Sequence, residues 1–260
     1  MLINHFIEFI FRYIIKKINK PDFDKLDQAN LNDLNEKSYC VIENFLTDEE
    51  CLFFINQIKN EKKIVDKNKK NSLGFWADQE SSDIRFFKFQ KYNSEANQKI
   101  LNNQFILNYF KAITGRSKAE RTLMANHVIF KPDNRGSGGG WHRDTRFRTY
   151  FKAFIYLNDV DHSNGPLEII EGSHRIKEIL KLYKNQITKK EKFRFDDFEI
   201  QKILKDGFTK KKLLGNRGTL ILANTKAIHR GSPLTAGNRF AFTIYFADPR
   251  FKKELVNLEQ

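Results

Sequence analysis

Cysteine is scarce in this chain of 260 residues, which contains only Cys40 and Cys51. The two are eleven positions apart and form no Cys-x-x-Cys motif. Closely spaced pairs would have indicated a zinc or redox site, and a larger even number would have indicated a disulfide framework. We therefore expect two buried thiols in a protein of a reducing, cytoplasmic compartment, with a structural disulfide between them as the less favoured alternative.

Long apolar runs are also missing. In residues 1–20, Glu8 and Arg12 interrupt an Ile- and Phe-rich run that Lys16 and Lys17 end. The run is too short to span a bilayer, and it lacks the basic leader and small-residue cleavage site of a signal peptide. Its polar residues share one stripe of a helical wheel, which predicts an amphipathic helix, and the polar residues 21–37 that follow predict a linker or a short helix. We expect its apolar face to pack on its own domain, with a membrane surface or a dimer contact as alternatives.

Acidic residues are too few to balance the basic ones: 32 Asp and Glu face 46 Lys and Arg, for a net charge of +14. The excess lies in residues 1–20, 59–70 and 175–214, which carry +3, +4 and +7. A basic protein suggests a nucleic-acid partner. However, the charged segments lack the interleaved aromatic residues that stack on single-stranded bases. Solvated surface lysines explain the charge better, so we do not expect nucleic acid as a partner.

Hydrophobic residues make up 40% of the chain, which is enough for a sizeable core. Beyond residue 120, short segments of β-strand character follow one another. They are 123–131, 148–157, 167–170, 218–223 and 239–247. Helices are predicted around 96–113 and within the Lys-rich insertion 175–214. The pattern predicts a mainly β domain, a sandwich or jelly roll with flanking helices.

The segment SYCVIENFLTDEEC predicts a strand that leads into a helix. Thr47 is suited to cap the helix N-terminus, and Glu50 stands three residues later as its capping-box partner. We expect this helix to bury Leu52, Phe53 and Ile55.

The segment GGGWHRDTRF, residues 138–147, places His142 and Asp144 two positions apart. In an extended strand such residues point to the same side, so an imidazole and a carboxylate can meet while Arg143 faces away. The preceding glycines permit the sharp turn that leads the chain into such a site. Because His-x-Asp arises often by chance, this motif alone is weak evidence for a metal site.

His229 is available as a third ligand. A β-favouring run, 218–223, precedes it and a turn-rich segment, 231–238, follows it. This predicts two antiparallel strands, with His229 near the end of the first and Arg239 opening the second across the ladder. Taken singly, His229 is typical of a loop or core histidine and Arg239 of a surface arginine. Their conjunction with the His-x-Asp motif favours a site.

Two histidines and one carboxylate occupy one face of an octahedral metal ion and leave the other open, as in non-heme Fe(II) oxygenases. The open face can take a bidentate 2-oxo acid together with O₂. The distal carboxylate of 2-oxoglutarate then needs its own cation. A guanidinium matches a carboxylate with two hydrogen bonds, and Arg239 has this chemistry.

Four segments, in this order, make the chain resemble the phytanoyl-CoA dioxygenase family of Fe(II)/2-oxoglutarate-dependent oxygenases. They are IFKPD (129–133), WHRD (141–144), NGPLEIIEGSHR (164–175) and HRGSPLTAGNR (229–239). With the opening strand and helix, the resemblance covers residues 38–250 and leaves 251–260 as a tail.

The resemblance implies a double-stranded β-helix with Fe(II) as cofactor and with 2-oxoglutarate and O₂ as cosubstrates. The implied metal ligands are His142, Asp144 and His229. Arg239 would bind the C5 carboxylate of 2-oxoglutarate. His127 and Phe154, or a neighbour of Phe154, would add further contacts to the cosubstrate.

Two positions depart from the family pattern: Arg143 stands where Gln is frequent, and Glu171 stands where Pro is usual. Neither change removes a ligand, and we expect Trp141 and Arg143 to border the substrate pocket. Asp144 is retained, whereas halogenating relatives replace this carboxylate with a small residue. The expected reaction is therefore hydroxylation.

We expect an enzyme that hydroxylates an unactivated C–H bond of a small, anionic organic substrate and releases succinate and CO₂. The insertion 175–214 would act as a basic lid that attracts the anion through Lys189, Lys190, Lys210 and Lys211. Two alternatives stay open. One is a non-catalytic jelly-roll protein that binds a metal or another ligand, and the less favoured one is a basic binder of nucleic acid or membrane surfaces.

Overall fold

The computed structural model places a seven-stranded antiparallel sheet against a three-stranded one. It describes residue 10 and residues 26–68, 75–78, 83–91, 93–144, 150–187 and 193–247. Apart from Ile10, the predicted N-terminal helix lies outside the described residues, as does the tail 251–260. Within the described part of the chain, no helix has both the length and the apolar character that a membrane crossing requires.

In the described part of the chain, ten strands build the two sheets. In chain order they are β1 (Tyr39–Ile42), β2 (Phe75–Asp78), β3 (Asp83–Phe86), β4 (Glu120–Ile129), β5 (Phe151–Tyr156), β6 (Leu167–Ile170), β7 (Lys210–Leu213), β8 (Leu220–Asn224), β9 (His229–Gly231) and β10 (Asn238–Ala247). The larger sheet has the order β1-β8-β5-β10-β4-β3-β2, and the smaller has the order β7-β6-β9. This arrangement confirms the predicted jelly roll with flanking helices.

Five longer helices among the described residues accompany the sheets. They are α1 (Gln28–Glu36), α2 (Asp48–Asn68), α3 (Gln104–Thr114), α4 (Ile176–Lys184) and α5 (Asp197–Lys205). Shorter helical turns span Phe89–Lys91, Ser94–Ala96 and Asn97–Leu101. The helix predicted around 96–113 is therefore interrupted. Asn103 breaks it, because its side chain accepts hydrogen bonds from the backbone N–H groups of Phe105 and Ile106 and caps α3.

Strand β10 is buried on both faces. Its even-numbered residues from Phe240 to Phe246 join an aromatic core with residues of α1, α2 and α3. Its odd-numbered residues from Arg239 to Tyr245 line a cavity between the two sheets. Because side chains alternate along a strand, β10 serves the core with one face and the cavity with the other.

The pairing predicted around His229 is wrong. Strand β8 pairs with β1 and β5, while β10 pairs with β4 and β5, so the two do not form a ladder with each other. A turn closed by the Ala227 N–H on the Asn224 carbonyl oxygen moves the chain to the smaller sheet, where β9 pairs with β6. His229 and Arg239 thus lie in different sheets, on two sides of the cavity.

The start of α2 is as predicted. The Glu50 N–H donates to Oγ1 of Thr47 at 3.3 Å, and the Thr47 N–H donates to a carboxylate oxygen of Glu50 at 2.9 Å. The expected burial is right for Ile55 and wrong for Leu52 and Phe53, which are 49% and 38% exposed. The helical stripe that faces the core instead begins at Cys51 and continues through Phe54, Ile55 and Ile58.

The aromatic core yields a test of the packing. Phe242 is fully buried, with ring centroids of Phe54 and Phe89 at 5.1 and 5.4 Å. We expect Phe242→Ala to lower the free energy of unfolding by about 3–5 kcal/mol, because it leaves a cavity in the core. Urea denaturation measures the change. The control Phe53→Ala removes a partly exposed ring and should cost about 1 kcal/mol or less. Equal losses in the two variants would contradict this packing.

Candidate active site

His142 and His229 are brought together by the backbone. The His142 N–H donates to the His229 carbonyl oxygen at 2.9 Å, and the His229 N–H donates to the His142 carbonyl oxygen at 2.9 Å. This reciprocal pair is an isolated antiparallel bridge outside the named ladders. The imidazole rings of the two residues are 4.3 Å apart between centroids. Residues 87 positions apart in the sequence therefore present their side chains to one point.

Both imidazoles are prepared to bind a metal through the same nitrogen. Nδ1 of His142 lies 2.9 Å from the Gly140 carbonyl oxygen, and Nδ1 of His229 lies 2.9 Å from the Ala227 carbonyl oxygen. Since a carbonyl oxygen only accepts, Nδ1 carries the proton and the lone pair of Nε2 is available. Burial lowers the pKa of His142 to about 4 and that of His229 to about 3. Both rings are thus neutral at neutral pH, as a metal ligand must be.

Asp144 supplies the third group, and Lys152 fixes it. The buried carboxylate places Oδ2 2.7 Å from Nζ of Lys152, whose side chain is only 6% exposed. Oδ1 lies 4.0 Å from Nε2 of His142. Lys152 extends from β5, and its Nζ also lies 4.7 Å from the centroid of the Tyr245 ring. One carboxylate oxygen is therefore held by a lysine while the other faces the histidines.

The donor set fits a divalent metal ion. His142, Asp144 and His229 each offer a ligand atom, and these atoms all lie within 4.8 Å of one another. Ligand atoms about 2 Å from a metal lie about 3–4 Å apart, so small side-chain movements complete the geometry. Two imidazoles and a carboxylate on one face suit Fe(II) and leave positions for other ligands.

Arg239 lies across the cavity and is almost fully buried. It donates Nη1 to the Gly165 carbonyl oxygen and Nη2 to Oδ1 of Asn126 at 3.4 Å. The Asn126 amide in turn donates to the carboxylate of Asp83. Burial lowers the pKa of Arg239, and the charge of Asp83 is one of the effects that oppose this shift. The carboxylate stabilises the guanidinium through Asn126 without covering it.

The cavity between the sheets has a volume of about 190 Å³. Its walls come from β3, β4, β5, β6, β9 and β10, the glycine-rich loop before His142, and the insertion. The lining residues that bear on the chemistry are Arg85, Asn126, His142, Lys152, Phe154, Tyr156, Arg194, His229, Arg239, Thr243 and Tyr245. The cavity therefore connects two of the three candidate metal ligands with Arg239, and it is lined by several cations.

The need for glycine in the glycine-rich loop is clearest at Gly138. This residue has φ of +90°, and a Cβ there would lie 2.9 Å from Cε1 of His142. Any larger residue would strain the backbone and push the imidazole from its place. The Gly140 carbonyl oxygen orients the same ring. The loop thus both admits and aligns the first histidine.

The two side chains expected to contact the cosubstrate, Phe154 and His127, differ in whether they line the cavity. Phe154 lines the cavity, as expected. His127 does not: its ring stacks on Phe240, with centroids 3.8 Å apart, on the opposite face of β4. Its neighbour Asn126 faces the cavity instead. Strand alternation allows only one of the two adjacent residues to do so, and the Lys-Pro spacing does not reveal which.

Trp141 and Arg143 are not among the described residues that line the cavity. Trp141 is buried in a separate apolar cluster, where the Arg230 guanidinium lies 4.4 Å from the ring centroid. Arg143 donates Nη1 to the carbonyl oxygens of Ser173, at 2.7 Å, and Lys226. Burial lowers its pKa to about 9. Both side chains point away from the histidines, because they flank His142 on the other side of an extended segment.

Sequence reasoning missed Lys152, Asn126 and Arg85. Lys152 had a detectable signal, since it stands two positions before Phe154 in a strand and must share its face. Asn126 and Arg85 had no comparable signal. Arg85 is a short-range ion-pair partner of Asp83, at 2.5 Å, in a strand that becomes part of the site only through its pairing with β4.

The insertion 175–214, which we expected to act as a basic lid, reaches the cavity through a residue other than the predicted lysines. Its described parts are α4, α5 and β7, and β7 pairs with β6 at the edge of the smaller sheet. Lys210 and Lys211 are exposed on β7, and neither lines the cavity, whereas Lys189 and Lys190 lie outside the described residues. Arg194 is the described residue of the insertion that lines the cavity.

Comparisons with known proteins identify the family and the fold. A protein-family model described as "Phytanoyl-CoA dioxygenase (PhyH)" matches residues 34–241. A comparison with curated protein sequences found no match.

Solved structures share the fold. SnoK, a non-heme alpha ketoglutarate dependent carbocyclase from nogalamycin biosynthesis, has a TM-score of 0.61 and 14% identity, over 86% of this chain and 85% of that one. HygX from Streptomyces hygroscopicus, solved with nickel, 2-oxoglutarate and hygromycin B, has a TM-score of 0.59 and 15% identity, over 86% and 88%. EctD from S. alaskensis, in its apoform, has a TM-score of 0.60 and 16% identity, over 85% and 77%. At these identities the likeness concerns the fold.

The ion pair between Lys152 and Asp144 can be tested by stability measurements that require no catalytic turnover. In metal-free protein, Lys152→Met leaves a buried carboxylate uncompensated, so we expect a loss of about 3–5 kcal/mol in unfolding free energy. A bound divalent ion would replace the missing positive charge. Ni(II) should therefore raise the melting temperature more in the variant than in the parent, as thermal unfolding with and without Ni(II) would show. The control Lys37→Met breaks an exposed pair with Asp33 and should change stability by about 0.5 kcal/mol or less. Equal shifts with Ni(II) in Lys152→Met and the parent would refute the idea.

The histidines also predict a pH dependence. The unfolded chain takes up protons on His142 and His229 near pH 6.5, whereas the folded protein resists them down to pH 4 or below. The unfolded state then binds more protons, so the metal-free protein should lose stability as the pH falls from about 6.5 to 4. Urea denaturation across this range measures the slope. His229→Gln should flatten it, while His162→Gln, at an exposed histidine, should leave it unchanged. A slope unaffected by His229→Gln would count against the buried neutral imidazole.

Proposed function

The chain belongs to the phytanoyl-CoA dioxygenase family, and from this premise we propose that it hydroxylates an unactivated C–H bond of a small, anionic organic molecule. It is a 2-oxoglutarate-dependent non-heme iron enzyme. The observation that carries the proposal is the convergence of two neutral imidazoles and one carboxylate within 4.8 Å, beside a cavity whose other wall holds Arg239.

His142, Asp144 and His229 would hold Fe(II). When bound, the iron supplies O₂ activation coupled to decarboxylation of 2-oxoglutarate, so that one oxygen atom enters succinate, CO₂ leaves, and the other oxygen atom enters the substrate C–H bond. The side chains bind and orient around this chemistry. The two carbonyl-bound Nδ1 atoms hold the imidazoles in one tautomer. Lys152 occupies Oδ2 of Asp144, so Oδ1 would be the oxygen available to bind the metal.

Arg239 would receive the C5 carboxylate of 2-oxoglutarate. Its guanidinium is buried and held on one side by the Gly165 carbonyl oxygen and Asn126, which fixes its orientation before the ligand arrives. The ion pair between a buried guanidinium and a carboxylate is stronger than an exposed pair, because water does not compete for its hydrogen bonds. Phe154 and Leu167 supply apolar wall to the same cavity. They suit the methylene carbons of the cosubstrate and help to exclude water.

Several wider features belong to the same proposal. The insertion 175–214 would cover the cavity mouth as a lid, and the domain would span residues 38–250. The retained carboxylate of Asp144 favours hydroxylation over halogenation. A small-molecule substrate is expected rather than nucleic acid, and residues 1–20 would pack on the domain or make a membrane or dimer contact. Two buried free cysteines accord with a cytoplasmic protein.

Anaerobic addition of Fe(II) and 2-oxoglutarate to the metal-free protein tests the proposal. We expect a visible charge-transfer band from iron to the bound 2-oxo acid. Asp144→Ala should abolish the band because it removes a ligand. Arg239→Ala should demand at least about tenfold more 2-oxoglutarate, because a charge-assisted pair is lost.

Arg135→Ala serves as the matched control, since Arg135 is exposed and does not line the cavity. It should behave as the parent. A folded, iron-loaded parent that shows no band with 2-oxoglutarate would refute the function and favour a non-catalytic binding protein.

A further inference from the structure

The cavity is lined by more cations than the cofactor and cosubstrate require. Arg85, Lys152, Arg194 and Arg239 all border it. Asp83 and Asp144 are the carboxylates that pair with members of this set in the described part of the chain. Two positive charges therefore remain unbalanced. A divalent metal adds two more and dianionic 2-oxoglutarate removes two, so the excess persists in the loaded site.

Three of the four cations have an assigned partner. Arg85 lies 2.5 Å from the carboxylate of Asp83, and Lys152 lies 2.7 Å from that of Asp144. Arg239 is the proposed receptor of the cosubstrate. Arg194 remains, and among the described residues no carboxylate lies within ion-pair distance of it. Among these four cations, Arg194, which the insertion contributes, is therefore the one without an observed or proposed counter-charge.

Arg194 is held in place by backbone contacts. It forms an antiparallel bridge with His142, and the hydrogen bonds on either side join the Arg143 N–H to the Phe193 carbonyl oxygen at 2.7 Å and the Phe195 N–H to the Trp141 carbonyl oxygen at 2.9 Å. Cα atoms of bridged residues are about 5 Å apart, so Arg194 stands directly beside a candidate metal ligand.

The guanidinium of Arg194 is also oriented. Its Nη1 donates to the carbonyl oxygens of Gly138 and Gly139, at 3.1 Å each. Within the described residues these are its hydrogen bonds, and they leave the edge formed by Nε and Nη2 for another acceptor. Arg194 is itself exposed at the cavity rim, and that edge matches an oxyanion with two parallel hydrogen bonds, a geometry that the ammonium group of a lysine cannot provide.

We propose that Arg194 binds the anionic group of the substrate, a carboxylate, phosphate or sulfate, and so selects small acids whose reacting carbon lies close to the charge. This rests on the proposed function and replaces Lys210 and Lys211, which stand away from the cavity, as the source of anion selectivity. The charge excess draws the anion in, and the short backbone distance between Arg194 and His142 limits how far the reacting C–H can be from it.

Sulfate is a suitable probe because it is a tetrahedral oxyanion and a weak metal ligand. We would load the protein with Ni(II) and saturating 2-oxoglutarate, which occupies Arg239, and titrate sulfate by calorimetry at low ionic strength. The parent should bind sulfate, and Arg194→Gln should weaken the affinity at least about tenfold. Arg194→Lys, which keeps the charge but lacks the forked edge, should fall between them. Affinity for 2-oxoglutarate should change less than about twofold in either variant.

Two controls separate the outcomes. Arg135→Gln removes one exposed positive charge elsewhere, and the double variant Lys210→Gln with Lys211→Gln removes the lysines of β7; both should bind sulfate as the parent does. Unchanged sulfate affinity in Arg194→Gln, or loss in the lysine variant instead, would overturn the inference, as would a parent that binds no sulfate. If the Ni(II)-loaded parent binds no 2-oxoglutarate, the proposed function fails, and the same sulfate series without 2-oxoglutarate still decides the role of Arg194.

Discussion

One pair of backbone hydrogen bonds organises the site. His142 and His229 exchange both of their main-chain hydrogen bonds at 2.9 Å, although they belong to distant parts of the chain. A main-chain bridge fixes the separation and relative direction of its two side chains more firmly than side-chain packing does. The ligand geometry therefore does not depend on a bound metal to draw the histidines together. The adjoining bridge from His142 to Arg194 extends the same ladder, so the two candidate histidine ligands and the cavity rim share one backbone frame.

Electrostatics supply the second constraint. A carboxylate buried as deeply as that of Asp144 would be costly without a partner, and Lys152 meets this need before any metal arrives. The same logic applies on the other wall, where Asp83 compensates Arg85 directly and Arg239 through Asn126. Two of the four cations that border the cavity, Arg85 and Lys152, are thus neutralised by carboxylates in place. Arg194 and Arg239 have no carboxylate partner among the described residues, and these are the positions where we propose that anionic ligands bind.

Much of the site could be predicted because its residues fall in short, local patterns. The i, i+2 spacing of His142 and Asp144 is visible in any extended segment. His229 and Arg239 were candidates from the β-favouring runs and the turn around them, and the family resemblance then gave them their roles. The hairpin predicted around His229 failed because a turn of four residues sends the chain to another sheet, and no local pattern distinguishes that turn from a simple loop. The choice between His127 and Asn126 depends on the phase of β4, which its pairing with β10 decides. The sequence of one strand alone does not predict such long-range pairing.

The glycine-rich loop does more than leave space for the His142 imidazole. Its three consecutive carbonyl oxygens are divided between two tasks: Gly138 and Gly139 hold the Arg194 guanidinium, and Gly140 holds Nδ1 of His142. A molecule that pulls on the guanidinium therefore also pulls on the segment that sets the tilt of the imidazole. If Arg194 binds the substrate anion and His142 holds iron, as we propose, occupancy of Arg194 and affinity for iron would be thermodynamically linked, equally in both directions. Three glycines with left-handed backbone angles would then couple the proposed recognition of the substrate to the proposed site of reaction.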